Sequence, residues 1–256
     1  MTGLLAPFRI ARRLTVVASL ATLALPLGAQ MTTAGDGKPT VAVMYFDNSA
    51  LMRHADYEPL SKGIAEVLIT ELASNPRLRV VERDQLQKLL EEQNLGAGGR
   101  VDKETAAKIG RVLGVRHFLT GGFVIDTKER MRLDIRSINT ETSQIEYTAS
   151  VMGKADDVLA LIDQLAEKVN LGLSLPAMPE GTRSAAVTPL PPKSGTPKVD
   201  QVRAVLALGR GLMAKDGGNN PAAVAAYREA VQAYPDFSRA KTLLASAETG
   251  KGASNQ

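Results

Sequence analysis

Thr40-Val-Ala-Val-Met-Tyr-Phe46, closed by Asp47-Asn48-Ser49, is the stretch whose reading decides the fold. A nearly continuous apolar run ended by turn-forming residues reads as a strand buried on both faces. Such strands need helices to cover them, and the next segment supplies one. Residues 57–74 set Ile64, Val67, Leu68 and Leu72 on a single stripe, with Pro59 in the first turn, where a missing N–H costs nothing. A short strand, Leu78-Arg-Val-Val81, then leads into a helix over 82–92. Its Leu86, Leu89 and Leu90 face inward, and Glu82 and Asp84 fill a first turn that favours acids. Gly96, Gly98 and Gly99 end it, and Asp102 caps a further helix through Leu113.

From Val115 the period becomes that of strands. Residues 115–125 form one, interrupted at Gly121-Gly122 by a bulge or a close approach. Met131, Leu133 and Ile135 alternate with Arg132, Asp134 and Arg136, and Ile145, Tyr147, Ala149 and Val151 alternate with polar residues. That is an antiparallel meander with one buried and one wet face. Val158, Leu161, Ile162, Leu165 and Val169 define a closing helix. The fold class is α/β: an αβ sandwich over 39–173 with a mixed, largely antiparallel sheet.

Outside this domain the composition shifts. Arg9, Arg12 and Arg13 precede an apolar run, 14–25, that Pro26 ends and Ala29 closes before Gln30. This is the layout of a secretory signal peptide over 1–29, and the run is shorter than the ~20 residues of a spanning helix. Three of the chain's 31 Lys and Arg lie in that leader, leaving 28 against 27 acids. The mature chain is close to neutral, which gives no footprint for nucleic acid. There are no cysteines, hence no disulfides and no residue to acylate. Residues 174–198 form a Pro-rich linker, and 199–250 form an Ala-rich helical module.

The order Val41-Ala-Val43…Phe46, Glu71-Leu72, Val80-Val81-Glu82-Arg83-Asp84…Leu89-Leu90 and Leu113-Gly114-Val115…Leu119-Thr120-Gly121 resembles the CsgG family. That family comprises the curli secretion protein and its holdfast-attachment relatives, with a similar core in FlgO and the N-terminal domain of TolB. The resemblance spans about 40–170. It implies a periplasmic or outer-membrane-associated protein that forms rings, a homo-oligomer with protein partners in the cell envelope that serves surface-fibre export. Two departures accompany it. The chain has no cysteine for lipidation, and the hairpin within 115–151 is used by the domain's own sheet. Residues 131–138 also fall short of the ~9–11 that span a bilayer, and aromatic girdles are missing.

The tail resembles one degenerate tetratricopeptide repeat. Gly211, Ala223, Tyr227, Ala230 and Pro235 take its small, aromatic and proline positions, while Ala207, Arg210 and Ala214 depart from the first-helix pattern. A lone repeat leaves an apolar face to cover, so Tyr227, Tyr234 and Phe237 are the expected partner-binding residues. No catalytic, cofactor or metal residue is expected. The two histidines, His54 and His117, are isolated, and the Gly96-Ala-Gly98-Gly99 loop follows a helix without the Lys of a phosphate cradle. Asp47 and Asn48 read as turn chemistry. The expected function is non-catalytic assistance of assembly or secretion of surface structures by protein–protein binding. An oligomeric outer-membrane secretion pore is the alternative.

Overall fold

The computed structural model describes residues 37–92, 102–177 and 200–250. The expected leader, the glycine loop at 96–99, the linker from 178 on and the last six residues lie outside the described residues. Strand β1 (Thr40–Asn48) is central. Helices α1 (His54–Tyr57) and α2 (Leu60–Ala73) connect it to the two-residue β2 (Arg79–Val80). Helices α3 (Arg83–Glu92) and α4 (Lys103–Val112) precede β3 (His117–Ile125), β4 (Arg130–Asn139) and β5 (Gln144–Lys154), and α5 (Val158–Gly172) closes the domain. The sheet order is β2-β1-β3-β4-β5, with β1 parallel to β2 and β3, and β3, β4 and β5 antiparallel. The sheet is mixed, as expected.

Val41 through Phe46 are all buried, which suits the apolar run. At Gly121 the reason for glycine is close approach: a Cβ there would sit 2.5 Å from the Asp134 carbonyl and 2.8 Å from the Phe46 ring. The irregularities lie instead in the neighbours, between Val43 and Phe46 and between Ser137 and Ile138. The second one corrects the expected alternation of β5. Ser137 pairs with Tyr147 but Ile138 with Ile145, so Glu146 is the extra residue and Ile145 turns to the opposite face. Ile145 is consequently exposed while Val151 is buried. Asp102 caps α4 as expected, accepting from the Thr105 N–H at 2.7 Å.

Helix α5 covers the face of β4 and β5 that carries Met131, Leu133 and Ile135. Leu161 lies against Gly153, and the Tyr147 ring lies against Gly172. Helix α4 lies on the other face, with Gly110 against Phe118 and Thr140. The tail forms α6 (Gln201–Asp216), α7 (Asn220–Ala233) and α8 (Ser238–Glu248). Asp200 and Asn219 cap α6 and α7, accepting from the N–H groups of Arg203 and Ala222. The tail belongs to the same compact unit as the sheet, Gly37–Gln256. It packs on α2 at unusually short range: a Cβ on Gly209 would collide with the Pro59 carbonyl, and one on Gly63 would lie 2.5 Å from the Val205 carbonyl. Only glycine admits backbones this close.

Candidate functional site

Two polar regions stand out: one sealed between α2 and the tail, the other open along β4 and β5. In the first, the sequence marks on α2 a single apolar stripe of Ile64, Val67, Leu68 and Leu72. The structure buries Ser61, Lys62, Glu66 and Glu71 as well. Charges taken out of water must be paired, and here most partners come from distant chain. Arg83, at the start of α3, donates through one nitrogen to both oxygens of Asp216 at 2.9 Å and through another to Asp84 at 2.5 Å. Its Nε lies 3.4 Å from Glu66 Oε2, an ionic contact without hydrogen-bond alignment. Arg239 of α8 donates to the other oxygen of Glu66 at 2.6 Å. Lys62 reaches Asp216 at 2.5 Å and lies 4.9 Å from the centre of the Tyr45 ring. Lys215 binds Asp84 at 2.8 Å, and Tyr45 donates to Gln87 at 2.6 Å.

The electrostatics follow from that crowding. Burial works against the Arg83 charge, yet the surrounding oxygens of Tyr45, Asp216, Asp84 and Glu66 outweigh it and hold its pKa above the ordinary arginine value. Burial also raises the Tyr45 hydroxyl. Asp84 is desolvated, but the Lys215 hydrogen bond and the Arg83 charge win and keep its carboxyl below the usual range. Burial raises the Tyr227 hydroxyl too, which has no hydrogen-bond partner among the described residues.

The aromatic residues expected to face a partner are placed here or beside it, and all three are buried. Tyr227 is 1% exposed, Phe237 0% and Tyr234 7%. The Tyr227 ring seats on Gly211, and the rings of Tyr234 and Phe237 are 5.9 Å apart. The open face of the repeat-like tail is covered by the chain's own α2, so these side chains are not available at the surface. Glu82-Arg83-Asp84 was read as first-turn acids of a helix. Glu82 is exposed, Arg83 joins the sealed cluster, and Asp84 lies at its half-open rim. Lys62, Glu66, Asp216 and Arg239 were missed, since each is an unremarkable helix residue until the tail is placed.

The second region is the face of β4 and β5 opposite α5. Arg130, Arg132 and Arg136 of β4 and Thr148, Ser150, Met152 and Lys154 of β5 are exposed there. Arg130 pairs with Asp126 at 2.7 Å and Arg132 with Asp134 at 2.7 Å. On the other face of these strands, the one that carries Met131, Leu133 and Ile135, His117 Nδ1 lies 2.5 Å from Glu146, which also accepts from Ser137 at 2.7 Å and Asn139 at 3.3 Å. Desolvation works against the Glu146 carboxylate, yet the bonds from His117, Ser137 and Asn139 outweigh it and keep that carboxyl below its usual range. The extra residue of the β5 irregularity is thereby pinned across three strands. The serine bonds the carboxylate rather than the imidazole, so the set is not a nucleophile with its base. His54 is exposed at the start of α1. Asn48 accepts from the Ala50 N–H at 3.0 Å, the turn chemistry expected of it. Among the described residues no cluster of His, Asp or Glu is placed to hold a metal, and no helix is long and apolar enough to cross a membrane.

Residues 23–125 match the family described as Curli production assembly/transport component CsgG. No curated protein matches the sequence at a significant level. Among solved structures, the LpoB C-terminal domain from Salmonella enterica aligns at 17% identity with a TM-score of 0.38, covering 47% of this chain and 87% of that one. A PelC dodecamer from Paraburkholderia phytofirmans aligns at 13% identity and 0.34, over 55% and 90%. TolB from Acinetobacter baumannii aligns at 13% and 0.36, over 54% and 28%.

Proposed function

We propose that this chain is an exported, non-catalytic envelope protein that assists assembly or secretion of surface structures by binding other proteins. The match over residues 23–125 to a curli assembly and transport component carries the reading. The signal-peptide layout of 1–29 supports export, and the absence of cysteine leaves outer-membrane association without a lipid anchor. In this reading the tail is one tetratricopeptide-like unit whose missing neighbour is supplied by α2, and the domain assembles with further copies of itself. Against a membrane pore stands the packing of α5 on Met131, Leu133 and Ile135. A barrel hairpin must turn its apolar side to lipid.

The test is fractionation of the epitope-tagged chain in a Gram-negative host. The expected result is a mature form beginning near Gln30, released by osmotic shock or stripped from membranes by carbonate and urea. Retention of residues 1–29 in the cytoplasm would overturn export. A heat-modifiable oligomer that resists both washes would replace the accessory role with the pore.

A further inference from the structure

Seven large apolar side chains remain exposed among the described residues, and four of them gather around β5. Ile145 and Met152 lie on the strand itself. Leu171, 73% exposed, adjoins Gly172, against which the Tyr147 ring rests. Val112 follows Arg111, which donates to the Thr140 carbonyl at 2.6 Å and reaches Ser143 Oγ at 3.3 Å in the β4–β5 turn. Between them runs a sheet edge. Among the described residues β5 pairs only with β4, so its outer edge leaves a row of backbone N–H and C=O groups outside the sheet's own ladder.

The charge beside that edge decides what fits it. Arg136 and Lys154 are exposed on the open face, and neither has a carboxylate partner among the described residues. On the α5 side, Lys168 donates to the Ser150 carbonyl at 3.0 Å. A second copy paired antiparallel about Val151, in the middle of β5, would bring its Lys154 beside the rung that carries Thr148 and Arg136, where like charges repel. An acidic strand would meet them with opposite charge. Its N–H could also take over the Ser150 carbonyl and free the Lys168 ammonium for a carboxylate. The register such a strand would read is fixed, because His117, Ser137 and Asn139 hold the extra residue Glu146 in place.

We infer that β5 is a docking edge for an extended acidic segment of a partner protein. The segment adds as a sixth strand, with carboxylates over Arg136 and Lys154 and apolar side chains against Ile145 and Leu171. This rests on reading the chain as a protein-binding one, and it names the chemistry of the partner. Backbone pairing supplies affinity and the alternate side chains supply selectivity, as in other strand additions.

The test uses the purified full-length mature chain and a blocked synthetic peptide alternating Glu with Val and Thr, beside its Lys-for-Glu counterpart. The Glu peptide is expected to bind at least about tenfold more tightly, and to slow hydrogen exchange at β5 amides alone. The double variant Arg136→Glu, Lys154→Glu is expected to reverse that preference without lowering the melting temperature, since both side chains are exposed. Equal affinity for the two peptides, protection away from β5, or a preference unchanged by the reversal would overturn the inference. So would peptide-free self-association that the Lys154 and Arg136 reversals do not alter but a proline at Ser150 abolishes, because a second copy would then own the edge. None of these outcomes bears on export, which fractionation tests separately.

Discussion

Helix α2 and the hairpin β4–β5 carry comparable mixtures of apolar and charged residues, and they end in opposite environments. On α2 the charges are buried and paired with residues more than a hundred positions away: Lys62 with Asp216, Glu66 with Arg239. On β4 they are exposed and paired locally, Arg130 with Asp126 and Arg132 with Asp134. The difference lies in what covers each face. An alternating pattern shows which side chains can face water, but a distant segment decides whether water is there. Where cover arrives, each charge needs a partner in place, and the chain then specifies one docking geometry through ions and glycines together.

That contrast can be broken most severely at Arg83. Arg83→Ala leaves Glu66 and Asp216 without their shared cation, which is expected to cost about 3–5 kcal/mol by urea denaturation. A loss below about 1 kcal/mol would mean the cluster is wet rather than sealed. Gly209→Ala comes next. The added methyl meets the Pro59 backbone, and overpacking of this kind costs roughly 1–3 kcal/mol. Because the strain falls on the α2–α6 contact, limited proteolysis is expected to cut the tail first and leave 37–177 intact. Tyr227→Phe should act in the opposite direction. It removes a buried hydroxyl that lacks a partner, so a gain of about 1 kcal/mol is expected in the same assay.

Smaller effects sharpen the comparison. The Asp84 carboxyl titrates below its ordinary value when folded. Its contribution is therefore present above the unfolded pKa of about 3.9 and is lost as pH falls through the folded one. The stability gap between the wild type and Asp84→Asn should be constant from neutral pH down to about 5 and close below about 4. A gap that opened on acidification would contradict the pairing with Lys215. On the open face, Arg132→Ala should change stability by less than about 0.5 kcal/mol, as exposed pairs do.

Much of the fold was legible because its signals are local. The run at 40–46 marked a doubly covered strand, and Met131, Leu133 and Ile135 gave the buried face of β4 by alternation alone. What escaped was long-range. Nothing near Lys62 or Glu66 in sequence distinguishes them from wet helix residues, because their partners Asp216 and Arg239 lie in α6 and α8. The exposure of Ile145 was hidden for a different reason: one extra residue, Glu146, reverses the side-chain period behind it. Tyr227, Tyr234 and Phe237 were read as partner-binding because a lone repeat leaves an apolar face, and no local signal in α6–α8 marks α2, far off in sequence, as a neighbour of that tail.

Hydrogen exchange of the intact mature chain, resolved by segment, tests the central contrast most directly. If the tail and α2 form one sealed structure, the amides of α6 and of α2 should exchange with the same protection and lose it together when Arg83 is replaced by Ala. The outward amides of β5 should exchange far faster than both. Protection of α2 persisting while α6 exchanges like an independent short helix would contradict the account.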